Sequence, residues 1–158
     1  MIIEELRSIQ TMSSLRPADR YIIFLGAICS ERLVKDEELL RLKPVLAAMT
    51  STSIQQRHLL AAAEWLCGTR FPSLLKFFPV VLKQFYELDL IEEDTLYEWD
   101  TDFLRNDFTA DASMISDETL EALKTHAKQF VVWLREAEEE GDEDDGEEAE
   151  DGDEDEES

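Results

Sequence analysis

The chain has 158 residues, 44% of them hydrophobic, which is enough to bury one core and too little for two. Its formal net charge is −23, and residues 136–158 hold 17 of its 38 acids with no Lys or Arg, which leaves the remainder at only −6. A chain this acidic is repelled by phosphates, so nucleic acid is not expected as a direct partner, and a basic protein segment is the natural complement.

A first helix is predicted over 3–15, with Ile3, Leu6, Ile9 and Leu15 roughly periodic. Pro17 suits a helix first turn, and Tyr21, Phe24, Leu25 and Ile28 give a second helix over 17–30 its apolar face. A third runs over 36–50 with Leu39, Leu42, Leu46 and Met49 inward; Asp36, Glu37 and Glu38 suit its N-terminal dipole, and Pro44 should bend or restart it. Ser53 with Gln56 forms a capping-box pattern that opens a helix over 53–67, ended by Gly68. Its alanines, Ala61, Ala62 and Ala63, allow close approach of a neighbour, so this helix should be the most central. His58 lies on it without a second ligand or base nearby and reads as a partly exposed structural residue.

Pro79 splits the next apolar run into a turn at 72–78 and a helix over 79–88. Asp89 with Glu92 is a second cap-and-box pair, which predicts a short helix over 90–99 carrying Leu96 and Trp99. Residues 100–116 lack a period and form a loop anchored by Phe103 and Phe108. Ser116 begins a last helix over 117–138, on which Leu120, Leu123, Ala127, Phe130 and Leu134 make one stripe. One turn on, the stripe reaches Glu138, and the helix should leave the core there because an unpaired carboxylate cannot be buried. Residues 141–158 offer no aromatic or branched apolar group and read as a disordered acidic tail, separate from a folded unit at 1–140. Sustained alternation is absent, so the fold class is all-α: a HEAT-repeat-like stack of antiparallel helix pairs repeating at about 35–40 residues.

Cys29 and Cys67 lack CxxC spacing or a neighbouring histidine, which argues against zinc and disulfides and fits a reducing compartment. Met1-Ile2-Ile3-Glu4-Glu5 lacks a basic segment followed by an apolar run, and the apolar stretches are too short for a bilayer. A cytoplasmic monomer without membrane contact is expected. A glycine-rich phosphate loop, a nucleophile elbow and metal-spaced ligands are all missing, and His58 and His126 are the two histidines. No catalytic residue, metal or cofactor is therefore expected.

Aromatic residues meet acids in two segments, 85–99 and 130–140. Such patches draw lysine-rich peptides at long range, while the rings add cation–π contacts of roughly 0.5–2 kcal/mol. The bland view is that the rings are core and the acids cap helices or keep the domain soluble. It fits Phe85 and Phe130 best and leaves Trp133, at the edge of its stripe, undecided.

The string Gln56-Arg57-His58-Leu59-Leu60, then Phe78-Pro79-Val80-Val81-Leu82-Lys83-Gln84-Phe85-Tyr86-Glu87-Leu88-Asp89-Leu90-Ile91-Glu92-Glu93-Asp94, Trp99, Phe130, Trp133-Leu134 and Ala137-Glu138-Glu139-Glu140, resembles the HEAT-type C-terminal domain of eukaryotic translation initiation factor 5. Related domains close the epsilon subunit of initiation factor 2B and the factor-5-mimic proteins. The resemblance implies an adaptor that recruits partners into the pre-initiation complex. Its implied ligand is the lysine-rich N-terminal region of the beta subunit of initiation factor 2, with initiation factors 1 and 3 as further partners. The family's two acidic-aromatic boxes fall here on Asp89, Glu92, Glu93, Asp94 and Trp99, then on Phe130, Trp133, Glu136, Glu138, Glu139 and Glu140. The link between the boxes is longer than the family pattern, and acidic where relatives carry lysines, which counts against a second, basic contact surface. The GTPase-activating domain of the family is not in this sequence, so no such activity is expected of it. Two other readings stay open: an acidic chaperone for histones or other basic proteins acting mainly through the tail, and an enzyme using a carboxylate pair such as Asp89 and Glu92.

Overall fold

The structure, a computed structural model, describes residues 16–35 and 37–157, with side chains through Glu140. The helix expected over 3–15 and the start of the third, at Asp36, lie outside the described residues. Six α-helices follow: α1 (Pro17–Ile28), α2 (Glu38–Ala48), α3 (Ser53–Trp65), α4 (Phe78–Glu87), α5 (Glu93–Thr101) and α6 (Asp117–Glu157). A π-helical turn at Leu66–Arg70 and a 3-10 turn at Pro72–Phe77 join α3 to α4. Among the described residues there is no strand, and no helix is long and apolar enough to cross a membrane.

Alternate helices pack on one another, α1 with α3, α3 with α5, and α4 with α6, and α6 also lies along α5. This gives the two rows of a HEAT-like stack. α3 is the central element, because Gln56, Arg57, Leu59, Leu60, Glu64 and the three alanines are all buried on it. Tyr21, Phe24 and Leu25 of α1, Phe78 and Phe85 of α4, and Leu120, Leu123 and Val131 of α6 complete a continuous core. Cys29 and Cys67 are free thiols buried within it, and burial pushes both up to about 12.

Local chemistry moves several expected boundaries. The capping box of α3 sits one residue early: Thr52 Oγ1 accepts from the Gln55 amide at 3.2 Å, and Gln55 Oε1 accepts from the Thr52 amide at 3.3 Å. α2 continues through Pro44 without a restart. Pro44 is exposed, so the carbonyl that loses its amide partner lies on the solvent side, where water replaces the bond. Gly68 does not stop a helix by adopting positive φ; it lets the π-turn approach α6, since a Cβ there would lie 2.5 Å from Thr119 Cγ2. Phe103 is 81% exposed and anchors nothing. The loop is held instead by Phe108, which packs on His58 and under the Arg57 guanidinium, and by Arg105, which donates to Asp117 and the Ile115 carbonyl. His58 also stacks on Tyr21, and burial together with Arg20 and Arg16 lowers its pKa.

Helix α6 remains helical to Glu157, past the Gly141 at which composition set the end of the ordered unit. Its packed part supplies the nucleus, so each further residue costs elongation only, although carboxylates at i,i+4 oppose it by about 0.2–0.5 kcal/mol per pair.

One buried acid stands apart. Glu64 on α3 is 5% exposed, and burial pushes its pKa up to about 7 against the opposing influence of Trp99, Lys124 and Arg57. Trp99 leaves its indole N–H without a partner that satisfies hydrogen-bond geometry. A carboxyl held above its unfolded value favours folding while protonated, and that contribution is lost as pH rises from about 4.5 through about 7. Glu64→Gln should therefore raise stability at pH 8, by an amount on the order of 2–3 kcal/mol, and change it little at pH 4; urea denaturation at both pH values measures the difference.

Candidate functional site

The acids of the first box sit where α4 ends and α5 begins, and neither boundary is closed as the capping pattern suggested. Asp89 is not an N-cap. It adopts the left-handed conformation, φ 60°, one residue past the C-cap of α4, and its amide donates to Tyr86 O at 3.1 Å while the Leu90 amide donates to Phe85 O at 2.9 Å. This is a Schellman closure with aspartate in the usual glycine position. Leu90 and Phe85 are both fully buried beside it.

Glu92 occupies the N-cap of α5 and contributes no side-chain cap. The cap comes from across the core. Gln56 of α3 turns its Oε1 to the Glu92 amide at 3.0 Å and to Thr95 Oγ1 at 2.7 Å. Its neighbour Arg57, also buried, holds the other end of α5 by pairing with Asp102 at 2.8 Å and with Glu98 at 3.7 Å. Arg57 holds the Asp102 carboxyl below its ordinary value. Two consecutive residues of α3 thus grip a helix of nine residues at both ends.

The opposite side of α5 is stitched to α6. Lys124 Nζ donates to the Trp99 carbonyl and lies 4.6 Å from the Trp99 ring. Asp100, its side chain 6% exposed, takes Lys128 at 3.4 Å and Arg135 at 3.7 Å. Arg135 also covers the Tyr97 ring at 4.8 Å, and the Tyr97 hydroxyl donates to Glu138 Oε2 at 3.0 Å. Burial, reinforced by that bond to Glu138, pushes the Tyr97 phenol up to about 12, so it stays a donor at any ordinary pH.

These contacts bring the two segments together around an open cleft of about 750 Å³. Its acids are Glu87, Asp89, Glu92, Glu93 and Asp94 from the first segment and Glu138 from α6, with Tyr86 and Ile91 as floor. Tyr86 donates to Glu93 Oε1 at 2.7 Å, which raises its pKa and fixes that carboxylate in place. No cation lines the cleft among the described residues. They also contain no cluster of His, Cys, Asp or Glu suited to a metal ion.

The expected site residues divide accordingly. Asp89, Glu92, Glu93, Asp94 and Glu138 converge on the cleft, whereas Glu136, Glu139 and Glu140 are exposed along α6 without lining it. Trp99, 3% exposed with its edge on Phe78, and Phe130, 8% exposed, belong to the core and support the site from beneath. Trp133 is 48% exposed and is the ring a partner can reach. Sequence reasoning missed Tyr97 and the bases of α6. The usable signal was Lys124, Lys128 and Arg135, spaced by four and seven residues along one side of an otherwise acidic helix.

Helix rows that present a charged open cleft define a HEAT-like helical protein-interaction domain. Residues 55–144, more than half of the chain, match the family model W2: eIF4-gamma/eIF5/eIF2-epsilon, and the protein belongs to that family as an initiation-factor-5-like W2 domain. It is 33% identical over 84 residues to mouse eukaryotic translation initiation factor 5, a match covering 53% of this chain and 18% of the mouse protein. The maize factor 5 is 33% identical over 108 residues, covering 67% of this chain and 22% of that protein. The matched chain therefore spans about a fifth of the length of these relatives. A solved structure of the C-terminal domain of translation initiation factor 5 at low pH has the same fold, with a TM-score of 0.70 at 23% identity over 91% of this chain and 83% of that one.

Asp89 separates the fold from the site. Glycine there should relieve left-handed strain, stabilising the chain by up to about 1 kcal/mol, while removing one cleft charge and weakening a lysine-rich peptide a few-fold. Thermal melts and a peptide titration on Asp89→Gly read the two effects in opposite directions.

Proposed function

We propose that this domain is a non-catalytic, cytoplasmic translation-initiation adaptor that captures a lysine-rich segment of a partner factor in the acid cleft and so helps assemble the pre-initiation complex. The lysine-rich N-terminal region of the initiation factor 2 beta subunit is the partner this reading assigns first, with initiation factors 1 and 3 as further ones. Membership in the W2 family supports the setting, and one observation carries the chemistry: six carboxylates from two distant segments face one cleft with no cation among them.

A lysine ammonium on a flexible stem can reach carboxylates on either segment of such a cleft. Attraction of this kind sets encounter rate and is screened by salt, with a Debye length of about 8 Å at physiological ionic strength. The acidic segment 141–158, which we assign to an electrostatic extension, adds to the long-range field without fixing a register.

Glu92 and Asp94 are exposed and make no side-chain hydrogen bond or ion pair to another element, so reversing them breaks no such contact and costs α5 only the dipole interaction, about 0.3–1 kcal/mol each. Glu92→Lys with Asp94→Lys should weaken a lysine-rich peptide at least tenfold at 150 mM salt with helical circular dichroism unchanged. Glu139→Lys with Glu140→Lys should cost only a few-fold. Deleting 141–158 should leave most of the affinity; its near-complete loss would instead establish the tail-driven chaperone reading.

A further inference from the structure

The cleft does not end at its acids. From the N-cap of α4 along its outer ridge, Phe77, Val80, Lys83 and Glu87 follow at spacings of three and four, so the ridge enters the cleft at Glu87 and carries its apolar end on the far side of Lys83. Phe77 and Val80 are each 37% exposed. Across the seam from Lys83 lies Trp133 of α6, which stacks on Phe130 behind it. On both helices the order is the same: Lys83 faces Trp133, and about one turn further on Tyr86 and Glu87 share the cleft with Glu138.

The cations on this ridge are placed unlike Arg57, Lys128 and Arg135. Arg57, Lys128 and Arg135 are each paired with a carboxylate. Lys83 instead rests over the Trp133 ring at 5.5 Å, and Lys76 over the Phe77 ring at 5.3 Å. Among the described residues neither has an acid partner, in a chain where acids outnumber bases 38 to 15. Two unneutralised cations on exposed apolar surface suit an apolar side chain accompanied by a carboxylate. A second lysine from a ligand would be repelled there.

We infer that the Phe77–Val80–Lys83–Trp133 ridge is a second subsite, continuous with the acid cleft, that takes an apolar residue flanked by an acid from the same partner segment. The inference rests on the adaptor reading and adds to it a rule of selection: the ligand is not a uniform lysine run but one that changes chemistry beside it. The distance sets the spacing. One helical turn is about 5.4 Å and extended chain covers about 3.3 Å per residue, so an anchor at Trp133 falls about two residues on from the last lysine, with one residue between them. An anchor at Phe77, the N-cap of α4 and ten residues before Glu87, falls roughly five residues on.

The test compares three peptides on the full chain by titration at 150 mM salt: hexalysine, hexalysine followed by Gly-Phe-Asp-Asp, and its mirror with the apolar-acidic group at the N-terminus. One of the extended peptides should bind about tenfold more tightly than hexalysine. Lys83→Glu should remove that advantage and at the same time tighten hexalysine a few-fold, because it prolongs the acid cleft. Val80→Ser should reduce the advantage and leave hexalysine unchanged. If hexalysine binds and neither extension improves it, the subsite is wrong and the adaptor reading stands. If hexalysine does not bind at all, the adaptor reading fails and the subsite falls with it.

Discussion

The site depends on α5 being held from both sides. A helix of nine residues is too short to persist in water on its own, and this one carries acids at its entry and along its length. Gln56 supplies the missing cap at its N-terminus, Arg57 neutralises its C-terminal acids, and Lys124, Lys128 and Arg135 tie its far side to α6. Remove that grip and the six carboxylates of the cleft have no reason to share a space, since each repels the others.

Arg57, Lys124, Lys128 and Arg135 are spent on this internal bracing. Arg57 is buried, Asp100 between Lys128 and Arg135 is nearly so, and the cleft face is left without a cation among the described residues. The helix-entry reading of the acids and the partner-binding reading are therefore compatible. Glu93 and Asp94 stabilise the start of α5 by their position near the N-terminal dipole and still present charge outward. Tyr86 and Tyr97 make the arrangement rigid, each donating to a cleft carboxylate, and a preorganised array of charge loses less on binding than one that must be assembled.

What the sequence made legible was periodicity. The stripe from Leu120 to Leu134, the alanine-bearing α3 and the break before Pro79 all follow from spacing, and the structure has each of them. The capping misreadings share one cause: side chains such as Asp, Ser, Thr and Gln serve several backbone roles, and only the tertiary fold chooses among them. Asp89 suits an N-cap, but it closes the preceding helix; Gln56 suits a capping box, but its amide reaches a helix 36 residues away in sequence. Phe103 and Phe108 are equally apolar, yet only Phe108 finds His58 and Arg57 to pack on. The boxes were visible as composition. The particular contact that joins them, Tyr97 with Glu138, was not, because it spans 41 residues and leaves no local pattern.

The central claim is that the cleft between α4, α5 and α6, and not the acidic extension, is where a lysine-rich segment docks. Amide chemical-shift mapping of the isotope-labelled chain during titration with a lysine-rich peptide at 150 mM salt addresses this most directly. The account predicts saturable shifts concentrated on residues 86–94 and on the α6 residues from Trp133 to Glu138. Shifts confined to residues 141–157, with the cleft amides unmoved, would contradict it.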